Sequence, residues 1–134
     1  MHRRITLLVF ALVIKQVVIA QAVLWVDEIE IARFDPQTKD FGKFEAYHVQ
    51  DGLRLVLTST TLMVGGTGTV YTLKEQIVNK ETATEIEITR WAVNQDGERC
   101  IISYFGDRPR DVVYLMVSRA DRIVRYKVGK ITKL

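Results

Sequence analysis

Over much of this chain, apolar and polar side chains trade places every second residue, a period that only an extended strand can use to bury one face. In residues 122–128, Val124, Tyr126 and Val128 share one face while Ile123, Arg125 and Lys127 share the other, the pattern of a half-buried strand. Residues 111–118 are nearly all apolar and β-branched or aromatic (Val112, Val113, Tyr114, Leu115, Met116, Val117), which suits a central strand covered on both faces. Only Arg119, Ala120 and Asp121 separate the two segments. So short a link makes them an antiparallel hairpin.

The same reading extends upstream. Residues 85–94 and 98–105 flank Gln95-Asp96-Gly97, where Asp and Gly meet the demands of a tight turn. Ile86 and Ile88 point one way, but Trp91 and Val93 fall on the opposite parity, so a bulge near Arg90 is expected to reset the register. Residues 106–110 form a polar loop. In the first half, residues 28–33 alternate around Ile29 and Ile31, residues 43–49 form a candidate strand, and Asp51-Gly52 turns the chain into residues 53–58. There Leu53, Leu55 and Leu57 share a face. Residues 61–64 and 69–73 lie on either side of Gly65-Gly66-Thr67-Gly68. Residues 74–80 fit either a continued strand or one helical turn, and residues 34–42, around Asp35-Pro36, read as a loop. Eight or nine short strands with regular turns define an all-β fold, a single antiparallel barrel or sandwich of about eight strands over residues 23–134.

Residues 1–22 stand apart from that pattern. Met1-His2-Arg3-Arg4 is a short positive head, residues 5–14 are a ten-residue apolar run, and Ala20-Gln21-Ala22 places small residues where signal peptidase cuts. The segment reads as a secretory signal cleaved after Ala22, with Lys15 lengthening its polar end. An uncleaved anchor would need about 20 apolar residues to span a bilayer, and Lys15 interrupts the run before that. The expected location is therefore secreted or periplasmic, with membrane contact only through the leader if it is retained.

The location of charge bears on partners. The formal net charge of +3 belongs to the leader. Setting aside Arg3, Arg4 and Lys15 leaves as many bases as acids, interleaved along nearly every segment. A nucleic-acid surface needs a clustered basic excess, so no nucleic acid is expected.

Catalytic chemistry has few residues to work with. After the leader the chain holds one histidine, His48, and one cysteine, Cys100, with no ligand spacing for a metal. Neither metal nor cofactor is expected. Cys100 with His48 as base is one enzymatic reading, since such pairs meet in space rather than in sequence. Converging carboxylates, drawn from Glu28, Glu30, Asp96, Glu98, Asp107 and Asp111, are another. Against the first, Cys100 shares parity with Ile102 and Tyr104 and reads as a small buried apolar group. In an oxidising compartment a lone thiol can also pair between two chains. The turn at residues 65–68 has the composition of a phosphate cradle, but no Gly-Lys-Ser/Thr follows it.

Aromatic residues are the remaining candidates. Trp91, Tyr104, Tyr114 and Tyr126 are the residues expected to line a ligand site, tyrosine offering both an apolar face and a hydroxyl. The run from Trp91 to Ile102, with the strand ending Arg125-Tyr126-Lys127-Val128 and the hairpin of residues 53–73 ending Tyr71-Thr72-Leu73, resembles the small lipocalin-like (calycin-like) domains that bacteria export. It departs from true lipocalins at the first strand, where Trp25 follows Val23-Leu24 in place of Gly-x-Trp. The resemblance implies an antiparallel barrel in an exported protein. The function expected is a non-enzymatic domain that binds a small apolar or glycan ligand or a protein partner. An interaction module with an exposed edge strand, structural or inhibitory, and a hydrolase-like enzyme are the alternatives.

Overall fold

The structure, a computed structural model, describes residues 21–49 and 52–133. The expected leader, apart from its last two residues, lies outside them, as does Asp51 of the expected turn.

Ten strands follow one another in the described chain, with no helix among them: β1 (Ala22–Asp35), β2 (Asp40–Phe41), β3 (Glu45–Tyr47), β4 (Arg54–Leu57), β5 (Thr61–Val64), β6 (Thr69–Glu81), β7 (Glu85–Asn94), β8 (Arg99–Asp107), β9 (Val112–Ser118) and β10 (Arg122–Lys133). Hydrogen bonding runs from β10 through β9, β8, β7, β6, β5 and β4 to β1, and β1 then pairs with β10. Eight antiparallel strands thus form a closed barrel, which answers the expectation of a barrel or sandwich. β1 makes the closure possible by its length. Along one edge it pairs with β10 from Ala22 to Arg33. On the other, Ala22–Trp25 meets β4 and Ile29–Ile31 meets β3.

Alternation decides what fills the barrel. Leu24 and Val26, Leu55 and Leu57, Leu62 and Val64, Tyr71 and Leu73, Ile86 and Ile88, Ile102 and Tyr104, and Val113, Leu115 and Val117 form one buried cluster. Burying a side chain such as Leu24, Leu55, Leu62 or Leu115 fully contributes about 1.5–3 kcal/mol each. The hairpins sit where the turn residues demand. Arg119 N–H donates to the Arg122 carbonyl at 2.8 Å. Asn94 Oδ1 accepts from the N–H groups of Asp96 and Glu98, both at 2.9 Å, and Gly97 takes φ 80°.

Two expectations are revised and one open choice is resolved. Residues 34–42 are more than a loop: β2 folds back on Phe34 and Asp35, with Phe34 and Phe41 in edge contact at 5.6 Å. Residues 74–80 continue β6 as a strand. The irregularity at Arg90 exists, but its extra residues belong to β6. β7 pairs with β8 without interruption from Glu85 to Val93, while β6 gains a residue between Leu73 and Gln76 and another between Gln76 and Val78. Arg90 therefore keeps the inward parity of Ile88 and Ala92, and Trp91 and Val93 face outward.

Candidate functional site

The interior is filled. The cavity inside the barrel, lined by Leu57, Leu73, Ile88, Arg90, Tyr104 and Leu115 among others, has a volume of about 20 Å³, the room of a single water molecule. Small-molecule sites take roughly 300–1,000 Å³. Two features close this end of the lumen. The Tyr104 ring, 2% exposed, fills the centre, and burial pushes its phenol far above the ordinary tyrosine range. Arg90 reaches from β7 across the bulged stretch of β6. Its Nε donates to the Lys74 carbonyl at 2.8 Å and its Nη1 to the Ser59 carbonyl at 2.9 Å.

The four aromatic candidates do not converge. Tyr104 and Tyr126 lie on inward rows, Tyr104 deep in the core and Tyr126 packed against the core's margin. Trp91 and Tyr114 lie on the outer surface. Tyr114 contributes there to a stack in which the Arg125 guanidinium stands 4.0 Å from the Phe44 ring and 5.2 Å from the Tyr114 ring, held by Glu30 at 3.0 Å. That cluster is internally satisfied.

The enzymatic candidates stay apart. Cys100 is a free thiol, 3% exposed, and burial pushes its pKa up against the pull of Arg119, the opposite of an activated nucleophile. His48 is exposed beyond the end of β3. Three of the six candidate carboxylates are engaged separately: Glu30 with Arg125, Glu98 with Arg119, Asp107 with Arg110. Among the described residues no three His, Cys, Asp or Glu side chains gather as a metal site would require.

Outside the lumen, a surface groove of about 410 Å³ is lined by Trp25, Asp27, Val49, Leu53 and Lys130, and two further places retain binding capacity. The first is the outer edge of β6. This strand has 13 residues, but β5 covers it only from Thr69 to Thr72, with one further bond from Leu73 N–H to the Thr60 carbonyl. Among the described residues no strand pairs with that edge from Lys74 to Glu81. Beside it runs a groove of about 290 Å³ lined by Lys74, Glu75, Trp91, Val93 and Arg99. Trp91 is 37% exposed, with the Arg99 guanidinium 4.9 Å from its ring. Parity alone could have placed Trp91 outward; the free edge had no such signal, because it arises from the shortness of β4 and β5.

The second place is the opposite end, where the β7–β8 and β9–β10 hairpins meet. Glu98 accepts from Asn94 Nδ2 at 3.1 Å and faces Arg119 at 3.6 Å. Beneath lie two phenols. Burial pushes Tyr71 up against the pull of Arg119 and Arg122, and burial likewise pushes Tyr126 up to about 12.

This geometry defines a class, a closed eight-stranded antiparallel barrel compatible with a lipocalin-like architecture, with a filled interior. Comparison with known protein families, with curated proteins and with solved structures finds no match to the chain.

Proposed function

We propose that this chain is an exported, non-enzymatic β-barrel that acts as a protein-interaction module, docking an extended segment of a partner along the outer edge of β6. The observation that carries the reading is that unpaired edge, set against an interior with room for one water. An extended peptide added to a sheet edge gains main-chain hydrogen bonds along its length and specificity from adjoining pockets. The edge is guarded against indiscriminate pairing. Lys74, Glu75, Lys80 and Glu81 place charge at both ends, and the extra residues around Gln76 break its regularity, both devices that limit edge-to-edge association. What stays open is selective: Ile77, 46% exposed, with Trp91 and Arg99 in the neighbouring groove. Trp and Arg are the residue types that most often anchor interfaces. Export rests on the leader-like order of Arg3-Arg4, the apolar run and Ala20-Gln21-Ala22.

A photo-crosslinking amino acid placed at Ile77, Trp91 or, as a control in the β9–β10 turn, Asp121 tests the reading in the cell that makes the protein. One discrete adduct shared by the Ile77 and Trp91 positions and missing at Asp121 is the expected result. Equal labelling at all three positions, or tight binding of fatty acids or glycans that leaves the β6 edge amides exchanging freely, would sink it.

A further inference from the structure

We propose that the barrel rim at the β9–β10 hairpin is a binding site for a phosphoryl dianion, formed by Arg33, Arg119 and Arg122. It is separate from the β6 edge and does not depend on what docks there.

The placement follows from alternation. The inward row of β9 runs Val113, Leu115, Val117, and its next position is Arg119. The inward row of β10 runs Val128, Tyr126, Val124, and its next position is Arg122. The bond from Arg119 N–H to the Arg122 carbonyl sets these two opposite each other across the turn. On the other side of β10, Arg122 is paired with Arg33 of β1. Three arginines therefore stand side by side on adjacent strands, on the lumen side of the wall.

Such an arrangement is unfavourable by itself, since like charges directly opposed across a sheet destabilise it. Little on the protein offsets it. Glu98 is the acid that pairs with this row, at 3.6 Å from Arg119, and its own side chain is 59% exposed. Arg122 has no ion-pair partner among the described residues. The Nε atoms of Arg119 and Arg122 are both buried without an acceptor, and a buried donor in that state calls for a water or a ligand. Three guanidinium groups against Glu98 and Asp121 of the same turn leave the row with a positive excess, suited to an anion such as a phosphate monoester, which carries about −1.5 to −2 near neutral pH. The guanidinium fork fits phosphate oxygens two at a time. Tyr71 and Tyr126 lie under the rim within electrostatic reach of both Arg119 and Arg122, so their phenols form a protonated floor that repels no anion.

The test is a titration of the protein with inorganic phosphate at constant ionic strength, reading the Nε–Hε resonances of the arginines by NMR and the melting temperature in parallel. Saturable shifts of the Arg119 and Arg122 signals are expected, with acetate binding about tenfold more weakly for want of the second charge. Arg122→Gln should weaken phosphate about tenfold, and Arg33→Gln, a change at an exposed position that leaves folding intact, should weaken it several-fold. Arg110→Gln, at the other end of the barrel, should leave it unchanged. Sulfate, a tetrahedral dianion that the same guanidinium donors accept, should bind comparably, and failure of both dianions to saturate would overturn the site. A linear response up to about 50 mM that phosphate and acetate share, the behaviour of salt screening, would overturn the site itself, as would unchanged affinity in Arg33→Gln and Arg122→Gln.

Discussion

Arg90 gives the sharpest test of how the barrel is closed at the β6 bulge. It stands on the inward row of β7 between Ile88 and Ala92, and burial holds its guanidinium below the ordinary arginine range. Its two bonds, to the Lys74 and Ser59 carbonyls, tie the end of β6's paired stretch to the turn between β4 and β5. Hydrogen bonds from a charged donor contribute about 1.5–3 kcal/mol each when the acceptors would otherwise stay dry. Arg90 is only half-buried, so both carbonyls regain some water when it is removed. Arg90→Met should then cost about 2–3 kcal/mol, toward the lower end of that range for two bonds. Arg90→Ala also deletes the aliphatic stem packed beside the small cavity, at about 0.8 kcal/mol per buried methylene, and should cost about 4 kcal/mol in all. For a domain of this size each kcal/mol moves the melting temperature by about 4 °C, so calorimetry should find Arg90→Met about 8–12 °C below the parent and Arg90→Ala lower again. Arg90→Lys, able to reach one carbonyl, should fall between the parent and Arg90→Met. If Arg90→Met melts with the parent, the clamp contributes nothing. If Met and Ala variants are equally destabilised, the stem does not pack as described.

Four further outcomes follow. Leu115→Ala, at a fully buried site, should lose about 3–5 kcal/mol in urea unfolding, because the rigid wall cannot collapse into the void; a loss near 1 kcal/mol would mean a loosely packed lumen. Cys100 should react with a thiol reagent only at the rate of global unfolding, since its thiol is buried and its pKa raised, and prompt labelling of native protein would contradict this. Tyr126, whose folded pKa of about 12 lies above its ordinary 10.0, stabilises the fold fully below about pH 10 and loses that contribution as pH rises through about 12; Tyr126→Phe should flatten the stability profile across that window. Gly65→Ala should cost about 1–3 kcal/mol by overpacking, because the new Cβ would stand 2.7 Å from the Arg54 carbonyl oxygen, whereas Gly42→Ala, with 3.7 Å to its nearest neighbour, should be close to neutral.

Much of the architecture was legible because strand alternation is a local signal. Leu53, Leu55 and Leu57 share the inward face read from their spacing, Cys100 lies in the core with Ile102 and Tyr104, and the three turns at residues 65–68, 95–97 and 119–121 sit where glycine or brevity placed them. What stayed illegible depends on partners distant in sequence. Whether Arg90 or β6 carries the bulge is decided by which strand has spare length when both are paired. The polar segment at residues 34–42 became a strand pair because β1 runs on past β4 and offers an edge there. The candidate aromatics could be sorted by parity, Tyr104 and Tyr126 inward, Trp91 and Tyr114 outward, but parity does not say whether the lumen they enter is hollow. The arginine row was hidden for a related reason, since Arg33 and Arg122 are 89 positions apart in the chain and meet only through the β1–β10 register.

An eight-stranded barrel is just wide enough for its inward side chains to fill it, and here Tyr71, Tyr104 and Tyr126 stand on inward rows where smaller residues would have left space. Unequal strand length then decides where unmet binding capacity remains. β4 and β5 have four residues each beside a β6 of 13, so the wall cannot end level, and the surplus of β6 is left as an open edge toward the β8–β9 loop. At the other end the β9–β10 hairpin sets Arg119 opposite Arg122, and the β1–β10 register adds Arg33 to the same row. The features that make this barrel a poor container thus concentrate its chemistry at its two ends, one offering backbone groups to an extended chain and the other offering guanidinium groups to an anion. Because the two ends share no residue, Ile77→Lys should abolish partner crosslinking without changing phosphate affinity, and Arg122→Gln should do the reverse; a variant that impaired both at once would mean that the wall transmits strain between them or that one of the two sites is misplaced.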